Sequence, residues 1–274
     1  MNNITSYAQN REDLYLLALV GGKKKGFYVD VGANHPIQDS VTRLFYEKGW
    51  RGINIEPNIK LFKDICYDRP NDINLNIGIA EKPGELVLNI YPTHDGFSTF
   101  SKEVHKSHSK VGIKFKQAKV KVETLDDVLS KYASNKVIDF LKIDVEGLEY
   151  SVVAGNDWEK YRPKVIVIEA SDSQRCEDIL FNKGYSNHFF DGLNNYYVAD
   201  EHLKNTTIHN YSHRVLKPGY RTGLEKYLIE QVESLKAELK DVENQLELYN
   251  QKYDAKLTKR VNRLFRSKFR GAEE

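Results

Sequence analysis

Several acidic residues in this chain stand where an apolar run stops. Asp30 closes the run in FYVDVGANHP, Glu56 that in RGINIEP, Asp144 that in VIDFLKIDVEG, and Glu169 that in PKVIVIEA, with Glu146 two positions after Asp144. A carboxylate at such a place can accept two hydrogen bonds from a vicinal diol, take a proton from a hydroxyl, or share a cation with a second acid. Glu56 lies some 26 positions after Asp30, the interval at which an acid ending a second strand reaches the ribose of a nucleotide-like ligand held over the first strand's turn. Collected at one edge, acids repel one another unless a cation, a donor or a ligand uses them. Asp144, Glu146, Glu169 and His35 are the candidate general bases, and Asp144, Glu146 and Glu169 the candidate ligands of a divalent cation. His105 and His108 could face one way on a helix, but with no third ligand at convincing spacing, His94 in the same segment included, they read as solvated.

These residues need strands that end at a common edge. Phe27 to Val31 alternates and branches like a buried strand, Gly32 permits a sharp exit, and Asp39 to Lys48 has helical spacing. A strand, a glycine turn and a helix in that order offer backbone N–H groups where α/β sheets bind their ligands. The design recurs at Val137 to Gly155 and at Pro163 to Ala170. Ahead of it, Tyr7 to Leu19 reads as a short helix. Between the repeats, Asn58 to Cys66 reads as a helix and Ile73 to Ala80 as one alternating strand. EKPGE, from Glu81 to Glu85, reads as a hairpin-type turn into Leu86 to Tyr91. Ala118 to Val122 reads as a strand, followed by a helix capped by Thr124. DGLNN, Asp191 to Asn195, separates two closely spaced edge strands. The polar stretch from Pro92 to Lys116 is long enough to be a functional loop or lid.

The chain has 274 residues, with 41 Lys+Arg against 39 Asp+Glu. That is room for one large core and an appendage, and no global field recruits nucleic acid. Cys66 and Cys176 show neither metal-ligand nor disulfide spacing, which suits a reducing cytoplasm. Leu14 to Val20 is too short and too acid-flanked for a secretion signal, and no stretch is long enough to span a membrane. A soluble, cytoplasmic protein able to rest on the inner face of the cell membrane is expected.

Past Gly223 the pattern changes. Leu228, Val232, Leu235, Leu239, Val242, Leu246, Tyr249 and Tyr253 alternate by four and three, a heptad seam that predicts a coiled coil and a homo-oligomer. From Lys252 to Arg270 eight basic residues stand against Asp254 alone. Leu257, Val261, Leu264, Phe265 and Phe269 share one helical face there, which suits an anionic membrane surface better than nucleic acid. The expected division is 1–222 catalytic, 223–253 coiled coil and 254–274 basic amphipathic tail.

Six motifs in order, SYAQNREDLYL, GFYVDVGANHP, EKGWRGINIEPN, VETLDDVL, LKIDVEGLEYSVVAG and FFDGLNNYYVAD, make the chain resemble the FkbM-type family of S-adenosylmethionine-dependent methyltransferases. The resemblance covers roughly Ser6 to Asp200. It implies an α/β fold with a Rossmann-like, seven-stranded class I methyltransferase sheet, and methyl transfer to a hydroxyl oxygen, commonly of a sugar in a glycan or glycolipid. By the same resemblance Asp30, Gly32, Ala33 and Asn34 form the loop that holds the methionine part of the cofactor. Glu56 is the ribose ligand, with Pro57 and Asn58 on the adenine side, and Asp144 and Glu146 face the transferred methyl. Gln9 and Asp13 belong to a cover over the cofactor, although Asn10 and Arg11 replace the usual small or glycine-containing step. The expected enzyme is a glycan O-methyltransferase, capping a surface polysaccharide at the membrane. The alternatives are an enzyme acting on a small soluble metabolite and a non-catalytic scaffold on the same fold.

Overall fold

The computed structural model describes residues 4–203, 221–222, 234–242 and 245. The chain divides into two compact units, Met1–Gly223 and Leu224–Glu274. The first unit opens with β1 (Thr5–Ser6), α1 (Glu12–Leu19), β2 (Phe27–Val31), α2 (Arg43–Glu47), β3 (Arg51–Ile55), α3 (Ile59–Asp68) and β4 (Ile73–Leu75). There follow β5 (Gly78–Ile79), β6 (Gly84–Ile90), α4 (Lys102–Lys110), β7 (Lys116–Glu123), α5 (Leu125–Tyr132), β8 (Phe140–Ile143) and α6 (Glu149–Ala154). It closes with β9 (Val165–Glu169), α7 (Ser173–Asn182), β10 (Tyr185–Phe190), β11 (Asn194–Ala199), α8 (Asp200–Leu203) and β12 (Arg221–Thr222).

Seven strands form the central sheet in the order β10-β11-β9-β8-β2-β3-β4. β4, β3, β2, β8 and β9 run parallel, while β11 enters antiparallel to β9 and carries β10 on its outer edge, also antiparallel. The order reverses between β2 and β8, where ligands of doubly wound sheets bind beyond the strands' carboxyl ends. This is the Rossmann-like arrangement expected of a methyltransferase.

The period of two explains how the sheet is covered. Val29, Val31, Leu141, Ile143, Ile166 and Ile168 point to one face and pack with Leu125, Val128 and Leu129 of α5 and Val152 and Val153 of α6. Tyr28, Phe140, Val165 and Val167 point to the other and meet Leu14, Leu16 and Leu17 of α1 together with Phe45 and Trp50. Both faces are apolar, as a parallel sheet covered by helices requires. Asp30 and Lys142 share the second face, are direct partners in the β2–β8 register, and are nearly fully buried.

Several elements depart from the sequence pattern. Ile73 to Ala80 is two strands in two sheets: β4 extends the central sheet, and β5 pairs with β7 in a small sheet of order β5-β7-β6. Glu81 to Glu85 is therefore no hairpin turn, since β6 pairs antiparallel with β7 and not with β5. α1 starts at Glu12 rather than Tyr7, because Arg11 adopts φ 66° and the preceding residues are bent onto Asp13. Asp39, at φ 54°, likewise delays α2 to Arg43.

In the second unit 234–242 is helical, and Leu235, Leu239 and Val242 are exposed by 61%, 59% and 59%. The remaining seam positions, Leu228, Val232, Leu246, Tyr249 and Tyr253, and the basic stretch from Lys252 to Arg270 lie outside the described residues. Among the described residues no helix is long and apolar enough to cross a membrane.

Candidate active site

A cleft of about 640 Å³ opens beyond the carboxyl ends of β2, β3, β8 and β9, within the roughly 300–1,000 Å³ usual for small-molecule sites. Gln9, Gly32, Asn34, His35, Glu56, Pro57, Asp144, Glu146 and Glu169 line it. Asp13, Asp30, Ala33 and Asn58, expected beside a cofactor, do not. Asp13 instead accepts hydrogen bonds from Ser6 Oγ at 2.6 Å and Tyr7 N at 2.8 Å, folding the N-terminal segment onto α1. Asn58 caps α3 by accepting from Lys60 N at 3.1 Å. Asp30 lies one layer below the cleft.

The first turn shows why its residues are what they are. Gly32 adopts φ +80°, and a Cβ there would sit 1.8 Å from the carbonyl oxygen of Asp144, so the turn after β2 presses against the end of β8. Asn34, at φ 53°, continues the left-handed exit, a conformation asparagine tolerates better than most residues. Its backbone N–H donates to Glu56 Oε2 at 2.8 Å, while Asn58 N donates to Glu56 Oε1 at 2.8 Å. Each Glu56 oxygen thus has one backbone donor and lone pairs left over. Glu56 is only 5% exposed, and burial pushes its carboxyl up to about 7.

At the floor of the cleft, which it helps to line, Lys142 ties the acids to the fold. Its Nζ donates to the Gly32 carbonyl at 2.6 Å and lies 3.5 Å from Asp30 Oδ1 and 3.3 Å from Asp144 Oδ2. Burial alone would lower the lysine's pKa, but Asp144 and Asp30 reverse that and hold it above its ordinary value. Asp30 Oδ2 also accepts from Thr42 Oγ1 at 2.7 Å. Arg69, buried, donates to Thr42 Oγ1 at 2.5 Å, Asn54 Oδ1 at 3.2 Å, Pro36 O at 2.7 Å and Ser40 Oγ at 2.6 Å. The chain from Arg69 through Thr42, Asp30 and Lys142 to Asp144 holds the loop after β2 and the end of β8 in one register.

Asp144, Glu146 and Glu169 converge, each bringing a carboxylate oxygen within 4.8 Å of the others, the one such acid group among the described residues. Burial, with the charges of Asp144, Glu169 and Glu149, raises Glu146 to about 8. Burial, with Asp144 and Glu149, raises Glu169 to about 7. Glu146 adopts φ 55°, and Glu149 shapes its loop by accepting from the backbone N–H groups of Val145 and Gly147 at 3.1 Å and from Ser171 Oγ. His35 Nδ1 accepts from Ile37 N at 3.1 Å and Gln38 N at 2.9 Å. In the neutral ring Nε2 then carries the proton, and the residue lines the cleft.

Lys142, Phe97 and Phe100 were missed in the sequence, and His94 was noted there without a role. Lys142 had a signal, a lysine inside the apolar run FLKI of β8. His94, Phe97 and Phe100 line the cleft from the 92–116 segment, which its length had marked as a functional loop without telling which of its side chains face the site.

The family model for the methyltransferase FkbM domain matches residues 30–191. Methyltransferase 1 of Beauveria bassiana (strain ARSEF 2860) is 29% identical over 124 residues, which are 40% of this chain and 50% of that relative. The match thus spans half the length of the curated relative. Among solved structures, the METTL16 MTase domain (crystal form 2) aligns with a TM-score of 0.37 at 12% identity, over 69% of this chain and 66% of that one; a likeness that slight supports no further comparison. The matched residues run from inside β2 to just past β10, include every described cleft-lining residue but Gln9 and Leu193, and make up more than half of the sequence: the chain belongs to the FkbM methyltransferase family.

Proposed function

We propose that this chain is an S-adenosylmethionine-dependent O-methyltransferase that acts on a sugar hydroxyl of a glycan or glycolipid. The observation that carries the reading is the pairing of Glu56, buried at the cleft wall with both oxygens already oriented by backbone N–H groups, with the acid group of Asp144, Glu146 and Glu169 across the cleft. The first suits a ribose diol. The second suits the positive sulfonium, which when bound supplies a methyl group ready for transfer. Gly32 lets the loop approach a ligand where any side chain would collide with β8.

The residues then have distinct tasks. Glu56 receives the diol, and Asn34 and Pro57 border it. Lys142 lines the cleft floor and fixes Asp144, its own Nζ anchored by Gly32 O and Asp30. Glu146, raised by burial and its acid neighbours, is driven to its ionised form by the positive sulfonium and then takes the proton of the acceptor hydroxyl as the new bond forms. His35 orients the acceptor by donation. Pairing of copies through Leu228 to Tyr253, and a seat on anionic lipid through Lys252 to Arg270, belong to the same proposal; the exposed Leu235, Leu239 and Val242 support the pairing. The test is transfer of an isotope-labelled methyl from S-adenosylmethionine to a panel of oligosaccharides and small hydroxylated metabolites, read by mass spectrometry. Label on a sugar oxygen, abolished by Glu146→Gln, is the expected result; label on the metabolites alone would overturn the acceptor class.

A further inference from the structure

α4 has two faces with different work. Val104 lies against Gly147, where an added Cβ would come within 2.9 Å of Val104 Cγ2. His108 stacks on Phe97 with ring centroids 4.7 Å apart, and Phe97 lines the cleft. That face fastens the helix to the cleft wall. The other carries Lys102, Lys106 and Lys110, which recur every fourth residue and so stand in one row. Lys114 and Lys116 continue the run, and all five are exposed.

From 101 to 116 five lysines stand against a single acid, Glu103, whose Oε2 accepts from Ser101 Oγ at 3.2 Å. Among the described residues none of the five lysines has a carboxylate within ion-pair distance, whereas Lys183 pairs with Glu159 at 2.7 Å and Lys119 with Glu85 at 3.2 Å. In a chain so close to neutral overall, such a row is a local field. Like charges at four-residue spacing repel, so the row weakens its own helix unless an anion lies along it. A membrane-surface helix would instead keep an apolar face free, whereas on α4 Val104 is engaged by Gly147, His105 by Tyr91 and Phe115, and His108 by Phe97; Val111 and Phe115 past its end are exposed, so a lipid surface is the competing partner in the test.

We propose that the lysine row of α4 binds the flanking residues of an acidic glycan, so that the methyl acceptor is a negatively charged polysaccharide whose neighbouring hydroxyl enters the cleft. The inference rests on the O-methyltransferase reading above and names its substrate class. It is tested on the full chain with a fluorescent uronic-acid oligosaccharide and a neutral glucose oligosaccharide of the same length. Binding of the acidic probe that weakens as salt rises, and little binding of the neutral one, is expected. Combined Lys102→Glu, Lys106→Glu and Lys110→Glu should weaken the acidic probe by about tenfold or more, with S-adenosylmethionine affinity and the circular dichroism spectrum unchanged. The corresponding three glutamine changes, which add no repulsion, should give an intermediate loss. Equal binding of both probes, unaltered binding by both triple variants, or transfer of the lysine-dependent binding to phosphatidylglycerol vesicles alone would overturn the proposal. Absence of S-adenosylmethionine binding would instead contradict the underlying function and leave the glycan readout intact.

Discussion

Lys142 is the side chain on which most of the cleft's charge arrangement turns. It is buried, partnered by two carboxylates and a carbonyl, and removing one member of a buried ion pair leaves the other charge uncompensated. Lys142→Met should therefore cost about 3 kcal/mol or more of unfolding free energy in urea titrations. Its acids also tie cofactor binding to pH. With Glu146 near 8 and Glu169 near 7, the first is mostly and the second about half protonated at neutral pH, and a bound cation favours the ionised forms. S-adenosylmethionine binding should then tighten as pH rises from about 6 to about 8 and release protons, read as a buffer-dependent binding enthalpy; Glu146→Gln should flatten the profile. The acids were legible in the sequence because each ends an apolar run. Their lysine was not, because counting strand-end acids passes over a cation one pleat below, which only the register of β2 against β8 brings to Asp30.

At the scale of elements, the strand–turn–helix units and their order followed from periodicity, and the turns did not. Strand patterns fix which face a residue takes, but the break between β4 and β5, the delayed starts of α1 and α2 and the absence of a hairpin at Glu81 to Glu85 depend on partners distant in sequence. Arg69 is the clearest of these. Nothing local marks it out from other arginines, yet from the end of α3 it holds the Pro36–Thr42 loop by three hydrogen bonds. Arg69→Met leaves those buried acceptors without donors. It should cost roughly 2–4 kcal/mol in chemical denaturation and speed hydrogen exchange across 36–42, while the β9–β11 side of the sheet keeps its protection.

For the molecule as a whole, two buried carboxyls, Asp13 and Glu56, and two half-buried ones, Glu146 and Glu169, set the pH response of the ligand-free protein. Glu56, Glu169 and Asp13 near 7 and Glu146 near 8 all lie above their unfolded values. Groups raised on folding give their full stability below the unfolded pKa of about 4, and it is lost as pH rises through the folded values. The melting temperature should therefore fall from about pH 5 to about pH 8, and S-adenosylmethionine should restore part of the loss. Removing Leu224 to Glu274 should lower the molar mass seen by sedimentation to that of a single chain while leaving this pH dependence unchanged. The measurement that bears most directly on the central claim is calorimetric titration of the full chain with S-adenosylmethionine, alongside Glu56→Ala. One site per chain, weakened by about tenfold or more in the variant with its fold retained, is the predicted result. No binding, or binding that ignores Glu56, would contradict it.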